Sequence, residues 1–183
     1  MLTFDIDLEQ LKIAADQIGA SDKVFKAMIA RACSRTAATL RRMSGRGLKN
    51  ELQLRTLGVL RKRLKSIRLR GNNTGVSLWY GLNDLPVSAF KGRPRNTKDG
   101  AKKGNVEIKG GFVGKTKRGK ATIFKRAGEA RLPIREQLLE IKDQADIYIE
   151  DEIFTEVDRI FWQHFERDLK ARDKYQKVSD RWQ

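Results

Sequence analysis

One cysteine, one histidine and three prolines in 183 residues close off several kinds of chemistry. Cys33 alone cannot form an intrachain disulfide, and Cys33 with His164 cannot supply a Cys/His zinc cluster. A Ser/His/acid triad would have to be built on His164, which lies between Trp162 and Phe165 with no nucleophile elbow at any serine. Apolar runs are short, and none reaches the roughly 18 residues that a membrane-spanning helix needs, so no membrane partner is expected. Asp5 and Asp7 stand where a secretory leader would place basic and then apolar residues, which points to a cytosolic product. Hydrophobic residues make up 39% of the chain against 34% charged. That balance permits a globular fold with little apolar surface to spare, and part of the chain is expected to order only against a partner.

Acid is what the middle of the chain lacks. Residues 41–131 carry 25 Lys and Arg against 5 Asp and Glu, whereas residues 1–40 are balanced and residues 132–183 slightly acidic. The formal charge of +16 is therefore local. A field of that density attracts polyanions and costs self-repulsion when folded, which points to nucleic acid or an acidic protein surface as the partner.

Asp7 can cap a first helix with Leu8, Leu11, Ala15 and Ile18 on one face and Gly19 as its stop. From Ser21, Phe25, Ile29, Ala32, Thr36, Leu40 and Met43 recur at three- and four-residue steps and predict a long helix ending near Ser44-Gly45-Arg46-Gly47. Leu48, Leu52 and Leu54 follow. Thr56 then reads as the N-cap of a basic helix with Leu57, Leu60 and Leu64 interleaved with Arg61, Lys62, Arg63 and Lys65, a short helix-turn-helix pattern. Two ordinary helices with Lys and Arg reaching out to solvent explain the same residues.

From Ile67 the period changes to two. Ile67 and Leu69 lead into a turn at Gly71-Asn72-Asn73-Thr74-Gly75, and Val76, Leu78, Tyr80 and Leu82 alternate with Ser77, Trp79 and Gly81 as a half-buried antiparallel strand. Further strand segments are expected at Val106-Glu107-Ile108 with Phe112-Val113, and at Ala121-Thr122-Ile123-Phe124-Lys125, joined by a turn at Lys117-Arg118-Gly119-Lys120. The Gly-rich connections between them, residues 91–104 above all, read as long basic loops. Leu132 is held extended by Pro133, and Ile141, Ala145, Ile149, Ile153, Val157, Ile160 and Phe161 trace one long C-terminal helix. The fold class is thus α+β: long N-terminal helices on a small antiparallel sheet with long basic loops, plus a C-terminal helix. A single domain is expected, helical over 1–65, sheet over 66–131 and helical again over 132–183.

Two motifs invite chemistry. Gly114-Lys115-Thr116 resembles the end of a phosphate-binding loop, but the glycine that the motif needs five residues earlier is Lys109, and a hairpin turn follows where a helix should. Glu150, Asp151 and Glu152 are adjacent on a helix and point in different directions, which suits a solvated or partner-facing stripe better than a cation site. No catalytic group, metal or cofactor is expected.

The Ala/Arg-rich helix running into Leu57-Gly58-Val59-Leu60-Arg61-Lys62-Arg63-Leu64 resembles the first half of the minor tail protein Z family of lambda-type phages. Leu78-Trp79-Tyr80-Gly81, Leu85-Pro86-Val87-Ser88-Ala89-Phe90, Ile123-Phe124-Lys125-Arg126-Ala127-Gly128 and Arg131-Leu132-Pro133-Ile134-Arg135-Glu136 continue the likeness in the same order. The resemblance covers roughly residues 25 to 140 and rests on order and spacing. After Glu136 the chain departs from it, continuing with Gln137-Leu138-Leu139-Glu140 where a Gly/Pro loop is usual.

The resemblance implies a structural tail-completion or neck protein at the head-proximal end of the virion's tail, made in the host cytoplasm and needed for head-tail joining and DNA passage. It implies a ring, most often a hexamer, stacked beside the tail terminator and other neck proteins with DNA in its channel. Candidate contacts to DNA or an acidic partner are Arg61, Lys62, Arg63, Arg93, Arg95, Lys98, Lys102, Lys103, Lys115, Lys117, Arg118 and Lys120. Candidate subunit contacts are Phe25, Ile29, Leu40, Ile149, Ile153 and Phe161. The alternative is a free DNA-binding protein, sequence-tolerant or of helix-turn-helix type.

Overall fold

The computed structural model describes residues 8–17, 20–68 and 76–179. The chain is α+β, with long helices at both ends and short antiparallel sheets between them. Its contacts group into two compact units, each assembled from separated stretches of sequence, rather than three consecutive blocks.

Unit 1 comprises Met1–Gly45, Arg63–Tyr80 and Ile149–Gln183. It holds helix α1 (Leu8–Asp16) and most of helix α2 (Asp22–Glu51). Ile18, Gly19 and the Asp7 cap lie outside the described residues. The expected stripe of α2 is present, since Met28, Ile29, Ala32, Cys33, Thr36, Ala37 and Leu40 are all buried. Strands β1 (Leu64–Arg68) and β2 (Val76–Tyr80) pair antiparallel with Lys65 opposite Trp79; the turn at residues 71–75 is outside the described residues. The Lys65 ammonium sits 5.5 Å from the centre of the Trp79 ring.

The expected single C-terminal helix is interrupted. Helix α4 (Lys142–Tyr148), a π-helix at Ile149–Phe154 and helix α5 (Val157–Ser179) replace it. The extra residue per turn of the π segment keeps Ile149 and Ile153 buried while Glu150, Asp151 and Glu152 stay exposed. Phe161 and Phe165 stack with ring centres 6.1 Å apart, and both are buried. Side chains join α2 to α5: Arg31 donates to Asp168 at 2.7 Å, Arg35 donates to the same carboxylate at 3.4 Å, and Thr39 Oγ1 lies 3.2 Å from His164 Nε2.

Helix α2 does not stop at residues 44–47. Ser44, fully buried, donates to the Leu40 carbonyl at 2.7 Å and meets the Tyr80 hydroxyl at 2.9 Å, so its side chain bonds along and across the helix instead of ending it. Burial pushes the Tyr80 phenol up, against the pull of Ser44. Leu48 and Leu52 in the last turns of α2 are buried and belong to unit 2.

Unit 2 comprises Arg46–Lys62 and Gly81–Tyr148. Its strands are β3 (Leu85–Pro86), β4 (Arg95–Asn96), β5 (Gly100–Lys103), β6 (Val106–Lys109), β7 (Phe112–Lys115), β8 (Ala121–Arg126), β9 (Ile134–Glu136) and β10 (Leu138–Leu139). They form two three-stranded sheets, β4-β5-β6 and β7-β8-β9, and a β3-β10 pair, all antiparallel. Val87, Ala101 and Ile123 make a fully buried cluster over which Ile108, Val113 and Leu139 pack. The stretch expected as a long basic loop, residues 91–104, therefore contains strands β4 and β5. Gly100 is required there, because a Cβ at that position would run into the Ile108 carbonyl of the neighbouring strand.

The basic recognition helix is absent. Helix α3 spans only Gly58–Arg61, Thr56 does not cap it, and Leu64 has already entered β1 opposite Tyr80. One turn of helix cannot lay a row of side chains into a major groove. Pairing of Leu64 in the β1–β2 ladder outcompetes the local helical pattern.

Candidate nucleic-acid interface

A cationic cleft of unit 2 grows from the end of α2. Gln53 takes a left-handed conformation, φ 50°, and the chain turns back. The Gln53 carbonyl then accepts from Lys91 N at 2.7 Å, and Arg55 N donates to the Ala89 carbonyl at 2.9 Å, around an antiparallel bridge between Leu54 and Phe90. Alternate residues of an extended segment point to opposite sides. Leu54 accordingly goes into the core, and Arg55 and Lys91 are left exposed.

A second wall comes from the β7–β8 hairpin. Thr116 N donates to the Lys120 carbonyl, and Gly119 N donates to the Thr116 carbonyl, each at 2.8 Å, while Gly119 takes φ 74°. This closed turn presents Arg118 and Lys120. Arg55, Lys91, Gly92, Arg93, Pro94, Arg118, Gly119, Lys120 and Ala121 line an open cleft of about 480 Å³. Its five charged residues are all cations, all exposed, with no carboxylate in the lining. Like charges gathered this way repel one another, and an anion in the cleft relieves the repulsion. The guanidinium forks suit paired phosphate or carboxylate oxygens.

Of the twelve cations proposed from sequence, Arg93, Arg118 and Lys120 line the cleft. Arg61 and Lys62 are exposed at the end of α3 in unit 2, while Arg63 begins a segment of unit 1. Arg95 and Lys102 are cross-strand neighbours on β4 and β5, both exposed, and Lys98 is exposed in the turn between those strands. Lys115 ends β7, and Lys117 is exposed in the hairpin turn.

Lys103 is the correction. It lies in β5, is 5% exposed, and donates to the Val87 carbonyl at 2.7 Å, so it is part of the core of unit 2 and not a loop cation. Burial and then the nearby Arg55 charge push its ammonium down in pKa, against the opposing pull of Glu136.

Arg55 and Lys91 were missed by sequence reasoning. Only the Leu54–Phe90 bridge brings them together, and no local pattern announces a pairing between segments so far apart. The subunit candidates need correcting as well. Ile29, Leu40, Ile149, Ile153 and Phe161 are already buried inside unit 1 and Phe25 is half-buried, because these apolar faces close on the chain itself. The large apolar side chains left exposed in unit 2 are others, Leu132, Leu138 and Ile147 among them.

Gly114 and Lys115 sit in β7, and Thr116 opens the hairpin turn into β8, an arrangement without the helix that a phosphate-binding loop leads into. Among the described residues no group of three or more His, Cys, Asp or Glu is placed to hold a metal ion. No family model, curated protein or solved structure matches the chain.

Proposed function

We propose that this chain is a structural, non-enzymatic tail-completion protein of a long-tailed phage, acting at the head-proximal end of the tail, whose basic unit meets DNA through its phosphates. The observation that carries the reading is the cleft of Arg55, Lys91, Arg93, Arg118 and Lys120, five cations with no acid between them. Cations on turns and extended segments bind the sugar-phosphate backbone without reading bases, which is what a channel passing a whole genome requires. The resemblance over residues 25 to 140 supplies the tail and the ring. In this reading copies of the chain close into a ring, hexameric as in the family it resembles, beside the tail terminator. Subunit contacts then fall to exposed apolar residues such as Leu132, Leu138 and Ile147, since those of the long helices are used within the chain.

A free, sequence-tolerant DNA-binding protein would use the same cleft. The helix-turn-helix version has no support from a four-residue α3.

The test changes all five cleft cations to Gln. Surface substitutions of this kind each move stability by no more than about 0.5 kcal/mol, whereas each lost phosphate contact lowers the slope of log affinity against log salt by about 0.9. The variant should keep its thermal transition, bind unrelated duplexes equally weakly, and fail to make tails competent for head joining or DNA delivery. A variant that binds DNA with an unchanged salt slope and restores infectivity in full would overturn the reading. Loss of DNA binding with normal joining would favour the free DNA-binding protein.

A further inference from the structure

Unit 1 carries a second group of guanidiniums, on residues the cleft does not use. At 100° per residue Arg31, Arg35 and Arg42 of α2 fall within about 40° of one another and span about 16 Å of helix axis. Across from them on α5 are His164, Arg167 and Asp168. Arg31 donates from both Nε and Nη2 to Asp168 Oδ2, at 2.8 and 2.7 Å, and Arg35 Nη1 donates to Asp168 Oδ1 at 3.4 Å. One carboxylate thus serves two arginines, and among the described residues no other lies within ion-pair distance of Arg35, Arg42 or Arg167. Arg35, Arg42 and Arg167 are exposed.

We infer that this face of α2 and α5 is a second phosphate-binding surface, on which Arg35, Arg42 and Arg167 take the backbone of a nucleic acid around His164. The site stands on its own residues and rests on the proposed function only for the identity of the polymer. Two features favour a phosphate polymer over an acidic protein. The three exposed cations, Arg35, Arg42 and Arg167, are all guanidiniums, whose forks match phosphate oxygens. Protein interfaces place apolar or aromatic anchors at their centre, whereas among the described residues of unit 1 the exposed large hydrophobics, Ile13, Trp79 and Phe154, lie on other elements.

His164 sits within this charge field. Thr39 Oγ1 of α2 is 3.2 Å from its Nε2, and the charged groups facing it are Arg35 and Arg42 from α2 with Arg167 and Asp168 on α5. Burial, and then the charges of Arg35, Arg167 and Arg42, hold its proton affinity below the ordinary value of 6.5. A phosphate bound among those arginines cancels part of the field, so binding makes His164 easier to protonate and tightens as pH falls.

Because the chain has one histidine, its ring signals in an NMR spectrum are unambiguous. The experiment titrates His164 in the full chain with and without a saturating short duplex, and repeats this in the variant with five cleft cations changed to Gln. A third protein carries Arg35→Gln, Arg42→Gln and Arg167→Gln, with Arg31 kept to hold Asp168. The duplex should raise the His164 midpoint by about one pH unit in both the unaltered chain and the cleft variant. The triple variant should lose roughly 2 to 3 units of salt slope. If duplex binds the unaltered chain without moving His164, and the cleft variant binds none, this surface is refuted and the cleft stands. If the cleft variant binds as tightly as the unaltered chain while the triple variant does not, the cleft is wrongly assigned and this surface stands. Polyglutamate of matched charge moving His164 as far as duplex does would overturn the ligand class.

Discussion

Lys103 Nζ donates to the carbonyl of Val87 from a side chain that is 5% exposed, in the middle of the most basic stretch of the chain. The carbonyl's other donor is Phe90 N at 3.3 Å, so the lysine holds the 3-10 turn Val87–Ala89, and that turn supplies the Ala89 carbonyl bonded to Arg55 N. Lys103 therefore acts on the cleft through its frame. Lys103→Ala should cost about 1–3 kcal/mol, as a buried charged hydrogen bond does, whereas Lys102→Ala on the exposed side of the same strand should stay within about 0.5 kcal/mol. Urea denaturation of the two variants measures the difference, and equal costs would remove Lys103 from the core.

Glu136 is the counterpart of Lys103. Burial raises its pKa, but hydrogen bonds from Thr122 Oγ1 at 2.7 Å and Ser88 N at 2.9 Å, with the Lys103 charge, outweigh burial and hold it below the ordinary 4.5. A carboxylate held below its unfolded value contributes stability above that value and loses it as pH falls through the folded one. Stability should therefore fall away below about pH 4.5, and Glu136→Gln should flatten that part of the curve. Urea midpoints taken across the acid range decide it; identical acid limbs in the two proteins would refute the assignment.

His164 acts in a separate window. Its folded pKa is lowered, so the unfolded chain binds more protons once pH drops below the unfolded value of 6.5. Any stability its neutral form supports is present above pH 6.5 and is lost on acidification through the folded value. His164→Gln keeps a partner for Thr39 and should remove this loss between neutral pH and the range where Glu136 titrates. Matching pH profiles for variant and parent would show that neither burial nor the surrounding arginines lower the ring's proton affinity.

Gly47 lies inside helix α2, where alanine would ordinarily gain about 1 kcal/mol of helix propensity. A Cβ there would land on the hydroxyl and ring of Tyr148. Gly47→Ala should destabilise, since overpacking costs about 1–3 kcal/mol and opposes the gain. Combined with Tyr148→Ala, the same substitution should turn favourable, giving strong non-additivity in a double-mutant cycle. A stabilising Gly47→Ala in the unaltered background would mean that Tyr148 moves aside freely.

The sequence by itself determined the α+β class, the buried stripe of α2 from Ile29 to Leu40, an antiparallel strand from Val76, expected to run to Leu82 and ending at Tyr80, and the hairpin turn between β7 and β8. Each is set by local periodicity or turn chemistry that a short window of residues carries in full. It also located the excess charge, because net charge needs no fold. Tertiary structure decided the rest. Ser44 and Gly47 look like a helix end until Tyr80 and Tyr148 turn them into packing positions. Residues 56–64 carry a helical pattern that Leu64 abandons for its partner Tyr80. Lys103 looks like any loop lysine until the Val87 carbonyl comes within reach, and Arg55 meets Lys91 only because Leu54 bridges Phe90. All of these depend on pairings between distant segments, and the free energy of such a pairing belongs to the two partners together, so neither segment displays it alone.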